Sequence, residues 1–460
     1  MTLERLAAAL SPAEVVNAPG DPARVAIADL AYDTRAARPG ALFFCVRGAA
    51  RDGHELAAEA AAAGAAALVV DHALDLPLPQ LVVPDVRAAM PRAATVFFGD
   101  PTRELDVAAV TGTNGKTTTA FLLHAILHAA GRPAGLLTNI ERRVAGEARP
   151  TGLNTPEAID LQRLFRQMAD GGDTACVMEA TSIAQAQGRL EGTRFAVLVF
   201  TNLTQDHLDF HGDMERYFTA KRALFEQADR AVVNVGDEHG RRLARELPDA
   251  VTYDASSPEL DGIELALRGS FNRENAIGAA FAARELGVPE GAIRRGIASV
   301  RGVPGRFESI EEGQPFAVIV DYAHTPDSLE NVLRASRELG DGRLTVVFGA
   351  GGDRDRAKRP LMGAAAATGA DRAILTSDNP RSEDPAAIAA EVAAGAPGRL
   401  ELELDRRAAI ERALAEAAPG DVVVLAGRGA EPEQELASGK IPFDDREVAR
   451  EALRRAEVKR

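Results

Sequence analysis

The sequence predicts an α/β protein of three domains: a small N-terminal α/β domain (1–100), a central doubly wound sheet domain around a phosphate-binding loop (101–302), and a C-terminal Rossmann-like α/β domain (303–460). Three observations carry this expectation. The chain has 460 residues, beyond the size at which a single core stops growing. From about residue 101, short apolar runs alternate with helical stretches, the order a doubly wound sheet requires. A glycine turn joins one such run to a helix at residues 111–117.

In the first hundred residues, Val25–Tyr32 reads as a strand and Asp33-Thr34-Arg35 as a polar turn. Ala41–Val46 is a second strand, followed by the polar loop Arg47–His54. Glu55–Ala63 reads as a helix, and Ala65–Val70 and Gln80–Val83 as short buried strands. The apolar run Ala60–Val70 is too short to cross a bilayer and reads as a helix passing into a strand. Taken alone, the turns at 33–35 and 52–54 are ordinary polar turns.

The central domain turns on Ala109-Val-Thr-Gly-Thr-Asn-Gly-Lys-Thr-Thr118. Leu105, Val107, Ala108, Ala109 and Val110 lead in as a strand, and Thr118–Ala130 follow as a helix. Gly112, Thr113, Asn114, Gly115, Lys116, Thr117 and Thr118 then form a phosphate cradle. Backbone N–H groups and the helix N-terminus face the anion, the Lys116 ammonium adds charge, and the Thr117 hydroxyl can ligate Mg²⁺. The first glycine of the general motif would fall at Val110. Thr174–Met178 is a strand ending at Glu179, Ala196–Phe200 is another that empties into Thr201–Asp209, and Ala231–Asn234 is a third. Ligands in such sheets sit outside the carboxyl ends of strands, so Glu179, Asp206 and His207 are candidates to converge on the phosphate loop.

Gly302–Phe307 is a turn-rich joint. Beyond it, Ala317–Asp321, Thr345–Phe348, Ala373–Leu375 and Asp421–Leu425 read as strands, and Asp327–Leu339 as a helix. The four strands empty into loops at 322–326, 349–354, 376–381 and 427–431, each holding Asp, Arg, His or Glu. Four such loops in succession point to one crevice edge lined for a polar ligand.

The formal net charge of −15 argues against nucleic acid and anionic membrane as partners. Cys45 and Cys176 are the only cysteines, so neither a disulfide framework nor a thiolate metal site is expected, and a reducing cytoplasm fits. No signal-peptide pattern opens the chain, and a monomer is expected.

With these loops in view, the chain resembles the Mur ligase family, from about Asp33 to Arg450. The segments that carry the resemblance are Asp33-Thr-Arg35, Asp52-Gly-His54, Thr111–Thr117, Thr201-Asn-Leu-Thr-Gln-Asp-His207, Tyr217-Phe-Thr-Ala-Lys221, Asp321-Tyr-Ala-His-Thr-Pro326, Gly351-Gly-Asp-Arg354, Asp378-Asn-Pro-Arg381 and Phe443-Asp-Asp-Arg446. The resemblance implies a cytoplasmic ATP- and Mg²⁺-dependent ligase of peptidoglycan precursor synthesis. It would join meso-diaminopimelate to UDP-N-acetylmuramoyl-L-alanyl-D-glutamate through an acyl phosphate. It also implies roles for residues. Lys116 and Thr117 would hold ATP phosphates and Mg²⁺, with Glu179 and His207 completing the metal sites and Lys221 carboxylated to a carbamate ligand. Asn272 would face adenine, and Arg306 and Asp321 the ribose and phosphates. Thr34, in the first domain, would lie on the uridine nucleotide, and Asn154, Thr155, Thr181, Gln187 and Arg189 on the sugar-peptide. Arg354, Asp378, Asn379, Pro380, Arg381, Gly427 and Glu431 would hold the incoming amino acid.

The residue types suit that acceptor. Two Arg and two acids (Arg354, Arg381, Asp378, Glu431) match the two carboxylates and two amines of meso-diaminopimelate, and Arg381 offers a bidentate fork. Lysine would leave one Arg unpaired, at a cost of about 1–3 kcal/mol. The chain departs from the family pattern at Ile183 and Ala430, where histidines are usual, at Arg428 for a lysine and at Asn154 for a threonine. The alternative reading is therefore a divergent paralogue that ligates another amino acid or another carboxylate. A folylpolyglutamate-type ligase is disfavoured by the roughly 100 residues ahead of the phosphate loop. A catalytically dead binding protein is disfavoured because Lys116, Glu179, His207 and Lys221 are all present.

Overall fold

A computed structural model describes residues 1–17, 24–48, 51–151, 153–260, 262–263 and 265–457. Ala49 and Ala50, within the expected 47–54 loop, lie outside the described residues. The chain divides into two units, one of Met1–Ala109, Arg132–Leu198 and Ala223–Asp229, the other of Val110–Gly131, Val199–Arg222 and Arg230–Arg460.

In the first unit a five-stranded sheet has the order Glu14–Val16, Gln80–Val82, Ala67–Val70, Ala41–Phe44, Asp29–Ala31. Its inner pairs are parallel and Glu14–Val16 is antiparallel. Leu42 and Phe44 pack with Leu3, Leu6 and Leu10 of the helix Leu3–Leu10 and with Ala89, Met90 and Ala93 of the helix Val86–Phe98. Phe43 and Cys45 pack with Ala57 and Ala60 of the helix Ala57–Ala62. Both faces are covered, so the strands read as continuous apolar runs rather than alternating ones. The expected helix Glu55–Ala63 is instead a 3₁₀ turn, Gly53–Leu56, followed by Ala57–Ala62. Its start moves back because the Asp52 carboxylate accepts the His54 N–H at 3.0 Å and caps the turn. The expected strand Val25–Tyr32 shortens to Asp29–Ala31.

An eight-stranded sheet has the order Val251–Tyr253, Ala231–Asn234, Val197–Phe200, Asp106–Thr111, Ala175–Glu179, Ala134–Leu137, Glu141–Val144, Glu147–Pro150. The last two form an antiparallel hairpin that joins Ala134–Leu137 antiparallel, while Ala134–Leu137 with Ala175–Glu179 and Ala231–Asn234 with Val251–Tyr253 are parallel pairs.

The second unit holds a six-stranded sheet ordered Glu308–Ser309, Ala317–Asp321, Val422–Ala426, Leu344–Phe348, Arg372–Leu375, Glu401–Leu402. All but the first strand are parallel. Val346, Phe348 and Val424 pack with Leu329, Val332 and Leu333 of the helix Pro326–Ser336. Val347, Val423 and Leu425 pack on the other side with Ile410, Ala413 and Leu414 of the helix Arg406–Ala415. A parallel sheet has its carboxyl ends on one edge, and the four polar loops expected from the sequence all leave from that edge.

Candidate active site

The strand Asp106–Thr111 runs straight into the glycine turn, and the helix that follows is Lys116–Ala129. It begins two residues before the expected Thr118. Lys116 and Thr117 are therefore its first helical residues, where backbone N–H groups have no acceptor within the helix itself. Gly115 is left-handed (φ 85°) and Gly112 has φ 147°. A Cβ at Gly112 would run into the Thr201 hydroxyl, and one at Gly115 into the Asn275 amide. Both positions therefore need glycine for conformation and for space. Asn114 is tethered on both sides: its N–H donates to Asn202 Oδ1 (2.9 Å) and its Nδ2 to Asp327 Oδ2 (3.0 Å).

Two lysines meet at one carbonyl. Lys116 Nζ donates to Gly112 O (3.0 Å) and Thr113 O (2.6 Å), and Lys221 Nζ donates to Gly112 O at 2.7 Å. Lys221 is 1% exposed and lies 4.8 Å from the centre of the Tyr217 ring, one helical turn earlier. Burial, with the charge of Lys116, holds its ammonium well below the usual lysine range. The Tyr217 hydroxyl meets Thr113 Oγ1 at 3.2 Å. His207 is left-handed (φ 55°). Burial, reinforced by Lys116 and Lys221 against the pull of Asp206, lowers its imidazole to about 3. The ring is therefore neutral at pH 7 and able to act as a ligand.

Asp206 gathers the groups behind His207. Its carboxylate accepts the His207 N–H (3.0 Å) and meets Lys358 Nζ at 3.2 Å and His324 Nε2 at 3.5 Å. Burial alone would raise this carboxyl, but the hydrogen bond from His324 and the charge of Lys358 outweigh it and leave it well below the usual range.

The nucleotide-side candidates lie in the same unit. Arg306 Nη2 donates to Thr117 Oγ1 at 3.2 Å, and its guanidinium lies 4.3 Å from the centre of the Tyr322 ring. Asp321, at the end of its strand, accepts the N–H groups of Phe307 (2.6 Å) and Ala323 (2.7 Å). Burial pushes its carboxyl up, against Arg306. Asn272 Nδ2 donates to Arg268 O (2.7 Å), and its Oδ1 accepts from Asn275 Nδ2 at 3.2 Å.

The first unit holds another group. Glu179 ends the strand Ala175–Glu179, is buried, and accepts the Asn139 N–H at 3.1 Å. Thr155 Oγ1 donates to Glu179 O (2.9 Å) and meets Thr181 Oγ1 at 3.2 Å. Arg189 donates to Thr155 O (3.2 Å) and pairs with Glu157 (3.0 Å). Gln187 caps the helix Ser182–Ala186, Asn154 is exposed, and Thr34 opens a 3₁₀ turn capped by Asp33.

The acceptor candidates share the edge of the six-stranded sheet. Asn379 Nδ2 donates to Glu431 Oε2 at 2.8 Å, and Asp378 Oδ1 accepts the Asn379 N–H at 2.6 Å. Burial and the nearby Asp378 raise the Glu431 carboxyl above its usual range. Pro380 and Gly427 are buried beside them. Arg381 donates to Gly352 O (2.6 Å) and to Glu435 Oε2 (3.0 Å), while Arg354 is exposed and donates to Asp353 O at 2.9 Å.

Family models match three stretches: the Mur ligase family catalytic domain at 26–98, the Mur ligase middle domain at 110–262, and the Mur ligase glutamate ligase domain at 305–429. A UDP-N-acetylmuramoyl-L-alanyl-D-glutamate–2,6-diaminopimelate ligase from Solibacter usitatus is 44% identical, over 94% of each chain. The chain belongs to the Mur ligase family. A solved structure of a UDP-N-acetylmuramoyl-L-alanyl-D-glutamate–2,6-diaminopimelate ligase is 32% identical, with a TM-score of 0.66 and 99% of each chain covered. The MurF ligase of Thermotoga maritima, solved in complex with ADP, shares the fold at 18% identity and a TM-score of 0.66, over 94% of this chain and 99% of that one.

In this Mur ligase the departures from the family pattern have different weights. Arg428 is wholly buried. Its Nη1 donates to Asn379 Oδ1 (2.6 Å), and its Nη2 to the carbonyls of Glu433 (2.7 Å) and Phe443 (3.0 Å). The substituted charge therefore braces the Asn379 loop from behind. Ile183 and Ala430 are half-buried, and nothing in the structure explains either change. Asn202, Asp327 and Lys358 are partners of the site that the sequence reading did not single out. Asn202 stood in the strand-end loop 201–209 already marked as polar, whereas Asp327 and Lys358 lie in the first turns of helices just past the marked loops and carried no signal of their own.

Breaking the Asp206 node gives a direct stability test. Asp206→Asn leaves the buried Lys358 ammonium against a neutral amide, and the expected loss is about 3–5 kcal/mol. Denaturant unfolding at pH 7 measures it, and a loss under about 1 kcal/mol would mean that the node is not structural.

Proposed function

We propose that this Mur ligase joins meso-diaminopimelate to UDP-N-acetylmuramoyl-L-alanyl-D-glutamate in the cytoplasm, in peptidoglycan precursor synthesis, at the expense of ATP. The observation that carries the reading is the full-length likeness to the ligase of that name. The phosphate loop, with two lysines on one carbonyl, supports it. Residues 1–100 are assigned to the uridine nucleotide, with Thr34 on it, 101–302 to ATP and 303–460 to the amino acid.

The γ-phosphate of ATP lies against the N-terminus of the helix Lys116–Ala129, where N–H dipoles and the Lys116 ammonium neutralise it. Gly112, Thr113, Asn114, Gly115 and Thr118 shape the cradle, Asn272 faces adenine, and Arg306 and Asp321 fix the ribose and phosphate side. Asn154, Thr155, Thr181, Gln187 and Arg189 orient the sugar-peptide so that its terminal carboxylate meets the γ-phosphorus in line. A carboxylate oxygen bonds to that phosphorus as the bond to ADP breaks. The acceptor amine then attacks the acyl carbon, phosphate leaves, and the amine proton passes to solvent.

Thr117, Glu179, His207 and a carbamate on Lys221 would hold Mg²⁺, which supplies charge neutralisation at the phosphate oxygens. The donor set fits. The Thr117 and Glu179 side chains are buried oxygen donors, His207 is a neutral imidazole, and a carbamate would turn a buried cation into an anionic oxygen ligand.

Arg354, Asp378, Asn379, Arg381 and Glu431 receive the amino acid, with Pro380 and Gly427 shaping its pocket. Arg381→Ala is expected to raise KM for diaminopimelate at least about tenfold and KM for ATP less than about threefold. Steady-state phosphate release measures both, and equal increases would contradict the acceptor assignment. The missing histidines at 183 and 430 favour a second reading, a paralogue that takes another amino acid. Phosphate release across a panel of amino acids, with the UDP-dipeptide and ATP saturating, separates the two: turnover selective for diaminopimelate supports the first.

A further inference from the structure

We infer that Glu435 is a positioning residue for acceptor recognition: it fixes the guanidinium of Arg381 so that only one edge of that fork faces the amino acid. The inference rests on the acceptor assignment above and adds a residue to it.

Glu435 lies in the hairpin Glu433–Leu436/Gly439–Pro442, which returns to the acceptor loop 378–381. It ties that loop three times. Its carboxylate accepts from Arg381 Nε (3.0 Å), its carbonyl accepts the Arg381 N–H (3.1 Å), and its own N–H donates to Asn379 Oδ1 (2.9 Å). The hairpin is itself anchored. The buried Arg428 holds the Glu433 carbonyl, and Gln434 Nε2 donates to Asp378 O at 2.5 Å. Arg381 has φ 51°, a left-handed conformation that a non-glycine residue keeps only where its surroundings impose it. The Glu435 carbonyl and the Gly352 carbonyl, which takes Arg381 Nη1 at 2.6 Å, supply that constraint.

A guanidinium has five N–H donors in a planar fork. Glu435 takes the Nε hydrogen and Gly352 one Nη1 hydrogen. The edge left for a ligand is Nη2 with the second Nη1 hydrogen, and a carboxylate is the group that can take both. A mobile arginine could offer either edge to many anions. One held by Glu435 selects an acceptor whose carboxylate arrives at a fixed distance and angle. The Glu435 side chain is 44% exposed, so truncating it removes the carboxylate tie to Arg381 Nε without opening the core, while the two backbone ties of residue 435 remain.

The test compares Glu435→Ala, Glu435→Gln and Arg381→Ala with the wild-type chain, reading phosphate release against diaminopimelate and, separately, against ATP. Glu435→Ala is expected to raise KM for diaminopimelate about tenfold, with kcat and KM for ATP changing far less. Glu435→Gln keeps an oxygen for Arg381 Nε and is expected to fall between the alanine variant and the wild type. An unchanged diaminopimelate KM in Glu435→Ala, with a raised one in Arg381→Ala, would overturn the inference and leave the acceptor assignment standing. A parallel rise in both KM values, with a lowered unfolding midpoint, would also overturn it, since that is loss of structure. An unchanged diaminopimelate KM in Arg381→Ala would remove the acceptor assignment and this inference with it.

Discussion

Lys116→Ala is expected to lower kcat on the order of 10³-fold while the protein stays folded. The lysine sits at the start of the helix Lys116–Ala129, with its ammonium on the carbonyls of Gly112 and Thr113. An arriving triphosphate offers it full negative charge in place of two carbonyl dipoles, and Lys221, which shares the Gly112 carbonyl, is buried and comes from another helix. Removing it leaves the backbone donors of the cradle, so binding weakens less than turnover. Phosphate release at saturating ATP, with the far-ultraviolet circular dichroism unchanged, is the measurement, and near-normal turnover would end the phosphate-loop assignment.

Lys221→Ala is expected to cost on the order of 10²-fold in kcat, and added short-chain carboxylates are expected to restore part of it. Carbon dioxide condenses only with a neutral amine. Burial and the neighbouring Lys116 charge make the Lys221 amine unusually ready to be neutral. The carbamate would add an anionic oxygen beside His207 and Thr113, and the cavity left by alanine can admit a small carboxylate. Rates are read with and without acetate or propionate. A variant as active as the wild type with neither present would exclude a carbamate ligand, and a loss that no carboxylate restores would count against one.

Much of the fold was legible because parallel strands buried on both faces are short runs of Val, Leu, Ile and Ala, and the chain holds many of them. The edge shared by the loops after Asp321, Phe348, Leu375 and Ala426 followed from that reading. The helix Leu3–Leu10 was not singled out, although Leu3, Leu6 and Leu10 have helical spacing and Thr2 caps the first turn. Eight residues is a short window for a period of 3.6. The start at Lys116 rather than Thr118 depends on a left-handed Gly115, which composition does not reveal.

At the site, residue types gave the phosphate loop and the candidate acids. Pairings over long separations were out of reach: Asp206 with Lys358 lies 152 residues apart, and Arg381 with Glu435 lies 54. Arg428 shows the other limit. In the sequence it stood only as an arginine where the family has a lysine, and its complete burial and three backbone or amide acceptors make it a brace.

The central claim is that a carboxylate oxygen of the nucleotide-sugar peptide attacks the phosphorus held at the Gly112–Thr117 turn. Oxygen-18 placed in the terminal carboxylate of the UDP-dipeptide tests it most directly. With ATP and diaminopimelate present, the released phosphate should carry one labelled oxygen per turnover, and Lys116→Ala should release almost none. Unlabelled phosphate formed at the same rate as the amide would contradict it.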